Sequence, residues 1–163
     1  MSGRNRLILL AAVIAAMIAV VVTFGIQPSN GADMPEIVTK RQDAMKGLGG
    51  AMKAIGESLG SGSPDAALII EKATAIGDTA DDIPTLFPEG TGLDALPGDN
   101  GAKPEIWQDW AGFETAAANL GTHADALVAA AQTGDAAAMQ AAFDALGKEG
   151  CGGCHSKFRQ KLD

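Results

Sequence analysis

The chain has 163 residues and a formal net charge of −8, with no tyrosine, five phenylalanines and two tryptophans. An acidic chain of this kind excludes nucleic-acid binding, which needs a basic face, and abundant alanine with few β-branched residues beyond position 26 excludes a sheet-built domain. With an N-terminal segment set aside, about 130 residues remain, enough for one domain but poor in the large side chains that would fill its core.

Residues 7–26, LILLAAVIAAMIAVVVTFGI, contain no charge over 20 positions. A helix of that length spans about 30 Å, the thickness of a bilayer core. Arg4 and Arg6 precede it and every Asp and Glu follows, so setting those two positive charges aside takes the remainder to −10. The positive-inside rule then predicts a cytoplasmic N-terminus and an exported remainder. The competing reading is a cleaved signal peptide, whose apolar region runs about 7–15 residues before an A-x-A-like site. Here the run is longer and Ser29-Asn30-Gly31-Ala32 matches such a site poorly, so residues 1–26 are expected to be an uncleaved single-pass anchor. Ala11, Ala12, Ala15, Ala16 and Ala19 would let it pack against other membrane helices as a subunit of a larger complex. Residues 27–34 read as a flexible tether and 35–163 as the folded domain.

Pro35 suits a first helical turn, and Ile37, Arg41, Met45, Leu48, Met52, Ile55 and Leu59 then recur at steps of four and three, one inward stripe of a bundle helix. Gly60-Ser61-Gly62-Ser63 closes that helix. Ser63 followed by Pro64 reads as an N-cap with proline at N1, opening a second helix that buries Leu68, Ile69, Ala73 and Ile76. From Asp81 to Lys103 prolines and glycines break the pattern. Such a length suits a crossover around a bundle, with Leu86 and Phe87 tucked inward. Pro104 begins a third helix whose buried face carries Ile106, Trp110, Phe113, Ala117, Leu120 and Leu127. Thr133-Gly134-Asp135 is a turn, and the last helix carries Met139, Phe143 and Leu146, then Phe158 and Leu162. Four helices with short, long and short connections predict an all-α antiparallel four-helix bundle.

The last helix ends in Cys151-Gly152-Gly153-Cys154-His155, which holds both cysteines of the chain. C-x-x-C-H is the attachment signature of c-type haem. Two thiols three residues apart lie on one side of a helix, where both can bond the haem vinyl groups, and the next residue can bring its imidazole to the iron. A thioredoxin-like reading would need a βαβ context, a zinc site about four ligands, and a disulfide would leave His155 unexplained. One covalently bound haem c is therefore the expected cofactor. It would supply the missing apolar bulk of the core, and its attachment requires the exported side of a bacterial membrane, placing the domain in the periplasm.

Three stretches, Arg41-Gln42-Asp43-Ala44-Met45, Lys103-Pro104-Glu105-Ile106-Trp107 and CGGCHSKFR, give the chain over about residues 35–161 a resemblance to the cytochrome c′ and cytochrome c-556 family. The resemblance implies an antiparallel four-helix bundle with haem between the helices. It makes Cys151 and Cys154 the thioether cysteines and His155 the proximal ligand. Arg159 corresponds to a family arginine near the proximal face, and at i+4 it would lie over His155. Arg41 corresponds to a first-helix arginine near the haem edge, suited to a propionate, and Phe87 to a distal-pocket aromatic. Met45 matches the position facing the distal side of the iron. Ligation there gives a six-coordinate His/Met haem suited to electron transfer; a methionine that only packs leaves a five-coordinate haem open to NO or CO.

Met52 and Met139 read as core residues, Trp107 and Trp110 as bundle and haem-wall packing, and His123 as a solvated or capping residue. Lys148, Lys157, Arg159 and Lys161 form either a positive collar around the haem edge or ordinary cations at a helix end. The expected activity is single-electron transfer to and from membrane redox complexes or other cytochromes, with a possible homodimer. No distal His–Arg arrangement of the kind a peroxidase needs is present, so the chain does not read as an enzyme.

Overall fold

The computed structural model describes residues 33–96 and 100–161. The expected anchor, nearly all of the expected tether, and Leu162 lie outside the described residues. Helix α1 spans Asp33–Gly60, starting two residues before the expected end of the tether. Pro35 sits in its first turn, where the N–H that proline lacks has no helical partner anyway.

The chain reverses through residues 61–65 into α2, Ala66–Asp82. The expected cap is corrected here: Ser63 is exposed, and the Asp65 carboxylate instead accepts from the N–H groups of Ala67 (3.0 Å) and Leu68 (3.1 Å). Asp65 has the extended backbone that an N-cap requires, φ −82° and ψ 96°, and its charge suits the positive end of the helix. The α2 side chains Ile69, Ala73, Ile76 and Ala80 are buried.

The crossover begins with a 3-10 turn, Ile83–Leu86, and buries Phe87. The third predicted helix is two helices. A single turn α3, Glu105–Gln108, stops at Asp109, whose backbone (φ −130°, ψ 61°) is not helical. Asp109 then caps α4, Trp110–Thr133, by accepting from Gly112 N–H at 3.1 Å. An aspartate that can satisfy a free helix-start amide competes with continuation of the helix. The α4 stripe Phe113, Ala117, Leu120, Ala124, Leu127 and Ala131 is buried, and α4 packs most extensively against α2.

Gly134 ends α4 in the left-handed conformation, φ 74°, which a side chain would oppose. Asp135 caps α5, Ala136–Ala145. The chain runs on through a π-helical turn, Leu146–Cys151, into α6, Gly152–Phe158. Together α1, α2, α4 and the α5–α6 rod make a four-helix bundle. Its core contains Ile55, Ile69, Ile76, Phe113, Leu127, Met139 and Leu146, all 2% exposed or less. Among the described residues no helix is long and apolar enough to cross a membrane.

Beyond α6 the chain is extended and clasps the crossover. Gln160 N–H donates to Gly101 carbonyl (2.8 Å), Lys103 N–H donates to Phe158 carbonyl (3.1 Å), and Ala102 and Arg159 form an isolated antiparallel bridge. Gly101 is required by this approach, since a Cβ there would lie 2.6 Å from the Gln160 carbonyl oxygen.

Candidate functional site

A cavity of about 580 Å³ opens between α1, the crossover, α4 and the α6 end of the chain. Its volume falls in the range of small-molecule and cofactor sites, about 300–1,000 Å³. Ile83, Phe87, Ala102, Ile106, Phe113 and Phe158 provide apolar walls. Phe113 holds the aromatic part together, meeting Phe87 edge-on at 4.8 Å, Phe158 at 5.3 Å and Trp110 at 5.5 Å. Trp107 braces the wall from behind by donating its ring N–H to the Phe87 carbonyl at 3.0 Å.

The structure brings Met45, Arg41, Phe87, Cys154, His155 and Arg159 to this one cavity. Met45 comes from α1 and His155 from α6, so two groups able to ligate iron border the same space from different helices. Cys151 and Cys154 are free thiols, both half-buried and packed against the core. Burial, and then the neighbouring Cys151, pushes the Cys154 thiol up to about 11, and burial raises Cys151 as well. Both are therefore protonated at neutral pH, unlike an activated thiolate. Burial, and then the Arg159 charge, pushes His155 below the usual imidazole value. The neutral ring that results keeps a lone pair free to ligate metal. Among the described residues no three His, Cys, Asp or Glu side chains converge to hold a bare metal ion.

Arg159 reaches the cavity by a route other than the expected one. Helix α6 stops at Phe158, and Arg159 has extended backbone, φ −115° and ψ 130°, so the helical i+4 relation to His155 does not exist. The extended clasp with residues 101–102 aims it instead.

Arg41 is 5% exposed, and all five of its N–H directions are used by the crossover. Nε and Nη2 donate to the Leu86 carbonyl (3.1 and 3.0 Å). Nη1 donates to the Thr91 carbonyl (3.1 Å) and Asn100 Oδ1 (3.2 Å), and Nη2 to Thr91 Oγ1 (2.7 Å). The guanidinium also stacks on Phe87, 4.0 Å from the ring centre. All these acceptors are neutral, and burial lowers the Arg41 pKa to about 10. Sequence reasoning found Arg41 but not Thr91 or Asn100, because polar residues in a loop rich in proline and glycine carry no periodic signal.

The remaining expectations divide. Met139 is buried and Met52 half-buried against the core. His123 lies outside the lining, 3.7 Å from Glu149. The expected collar changes membership: Lys157 pairs with Asp109, and Lys148 does not line the cavity. Lys46, from α1, joins Arg159 and Lys161 instead. Four cations, Arg41, Lys46, Arg159 and Lys161, thus line a largely apolar cavity that no carboxylate lines. That donor set fits a large apolar group carrying carboxylates, with a histidine and a thiol at one wall.

Fold and site together define a c-type haem protein built on a four-helix bundle. A sequence model of the family described as Cytochrome C′ matches residues 36–159. Cytochrome c-556 of Agrobacterium tumefaciens (strain B2A) is 38% identical over 125 residues, 76% of this chain and 97% of that protein. Cytochrome c′ of Rhodospirillum rubrum is 33% identical over 147 residues, 90% of this chain and 95% of that protein. A structure of oxidised R. palustris cytochrome c556 superimposes with a TM-score of 0.69 at 30% identity, covering 79% of this chain and 99% of that one. The chain belongs to the cytochrome c′ family, whose members carry covalently attached haem c.

Proposed function

We propose that this chain is a membrane-anchored periplasmic carrier of single electrons, with haem c attached through Cys151 and Cys154 and ligated by His155 and Met45. The observation that carries the reading is the placement of Met45 and His155 on one cavity from two different helices. Bound there, haem supplies reversible Fe(III)/Fe(II) exchange, with a potential that His/Met ligation tends to raise. The protein residues do the rest. His155 offers a neutral imidazole, Phe87, Phe113 and Phe158 exclude water, and Lys46, Arg159 and Lys161 balance carboxylates at the mouth. Arg41 contributes its buried charge, because its N–H groups already serve the crossover. No second histidine borders the cavity, since His123 lies elsewhere, so we assign no peroxidase-like acid–base step. The uncharged run 7–26, with Arg4 and Arg6 before it, supports the anchor and the exported side.

The second reading, a five-coordinate haem that binds NO or CO, is favoured by the cytochrome c′ relatives and by Met45 being half-buried against the core, where packing alone suffices to explain it. Optical and EPR spectra of both oxidation states, with and without CO, separate the two. A His/Met carrier is low-spin and indifferent to CO, and Met45→Leu makes it high-spin and CO-binding. A high-spin ferric wild type that binds CO readily sinks the carrier reading.

A further inference from the structure

We propose that the mouth of the cavity is a docking surface for an acidic redox protein, an assignment that rests on the electron-carrier reading above. The chain carries a net charge of −8, and its exposed cations are mostly neutralised locally. Lys40 pairs with Glu36, Lys53 with Glu57, Lys72 with Glu71, Lys103 with Glu105 and Lys157 with Asp109. At the mouth this pattern lapses. Arg159 and Lys161 are exposed and make no ion pair among the described residues, and Lys46 holds only a solvent-exposed contact with Asp43 at 3.6 Å.

The clasp explains why these charges share a place. Extended chain alternates its side chains with a period of two, so Arg159 and Lys161 project to one side while the bridge with Ala102 fixes their register. With buried Arg41 behind them, the mouth has four cations and no lining carboxylate, more positive charge than the two propionates of a haem neutralise. A local positive field on an acidic body attracts anionic groups only at close range, because salt screens the body's charge beyond about 10 Å at 0.1 M. Such a patch selects orientation at contact, bringing a partner's carboxylates, and with them its redox centre, to the cavity mouth. An anionic lipid surface offers the same charge but accepts no electron, which favours a protein.

Hexacyano complexes can stand in for the partner's carboxylates. With the full chain in neutral phosphatidylcholine nanodiscs, reduced and under CO, the inert paramagnetic trianion hexacyanochromate(III) is expected to broaden amide resonances of residues 45–47 and 158–161. Salt at 0.2 M should remove the broadening, as should Lys161→Glu alone or combined with Arg159→Glu. Uniform broadening, or broadening centred on Lys53, Lys72 or Lys148, overturns the proposal. Loss of mouth broadening in anionic phosphatidylglycerol nanodiscs overturns it too, since that face then lies on lipid.

In stopped flow, oxidation of the reduced protein by hexacyanoferrate(III) is expected to slow about tenfold in the Arg159→Glu/Lys161→Glu variant. The control Lys53→Glu/Lys148→Glu, with the same change in net charge, should change it less than twofold. Equal slowing in both would show that net charge alone acts, and would overturn the patch. The broadening requires no electron transfer, so a failed carrier reading, detected by CO binding and EPR, stays distinguishable from a failed docking surface.

Discussion

Arg41 ties α1 to the crossover through five hydrogen bonds to neutral acceptors. Replacing it by leucine would leave buried carbonyls of Leu86 and Thr91 without donors, and bonds to a charged group contribute about 1.5–3 kcal/mol each where buried. Arg41→Leu is therefore expected to lower stability by about 3 kcal/mol in urea unfolding, against about 1 kcal/mol for Thr91→Val. Arg41→Lys should fall close to the leucine variant, since an ammonium cannot reproduce the fork. His155 gives a pH dependence to the protein before haem attachment. Its folded-state pKa is depressed, so the unfolded chain binds the proton more readily. Stability then rises with pH, is fully present above the unfolded value near 6.5, and is lost as pH falls below it. Urea unfolding of the haem-free chain at pH 8 and pH 5.5 should show the loss, and His155→Gln should shrink it. Cys151, Cys154 and His155 were legible as a set because their chemistry fixes their spacing. The partners of Arg41 were not, since Thr91 and Asn100 lie 50 and 59 residues away from it.

The helices themselves were legible because each buries one stripe at the helical period, most clearly α4. Their ends were less so, since several polar residues compete to cap one terminus and only geometry selects among them. Asp65→Ala should cost about 1 kcal/mol, with Ser63→Ala unchanged within error, by thermal unfolding of both variants. An interchange of those two results would restore the serine cap. The break at Asp109 was hidden because apolar residues keep helical spacing across it, from Ile106 through Phe113. The π-turn Leu146–Cys151 was invisible for a related reason. One extra residue in a turn shifts the later stripe only slightly, and two glycines within it, Gly147 and Gly150, carry no hydropathy to shift. Gly101→Ala tests the clasp. Its Cβ would meet the Gln160 carbonyl at 2.6 Å, so residues 158–161 should separate from the crossover, and their amides should exchange faster.

For the molecule as a whole, scarcity of large side chains pointed to an interior that the chain does not fill alone, and the cavity of about 580 Å³ is that shortfall. A space so large, bordered by three phenylalanines, forfeits packing contacts until a cofactor occupies it. A Cys151→Ser/Cys154→Ser variant, unable to attach haem covalently, is thus expected to keep most of its helical circular dichroism. Its unfolding temperature should be more than 10 °C lower, because ligand binding to the folded state alone stabilises that state. An unchanged melting temperature would mean that the bundle core does not depend on the group. The bundle was legible from four stripes and the lengths of three connections. Its long connection was foreseen only as a wrap, because what orders it is an arginine from another helix.

That arginine has a consequence in time as well as energy. Because one buried side chain holds Leu86, Thr91 and Asn100 together, the crossover has no cheap way to open alone. Stretches rich in proline and glycine usually exchange their amide hydrogens through small local fluctuations. Here the amides of Leu93, bonded to Ala102, and of Ala102, bonded to Asn100, should exchange at the slow rate of whole-bundle unfolding. The least regular stretch of the chain would then report the global stability of the protein.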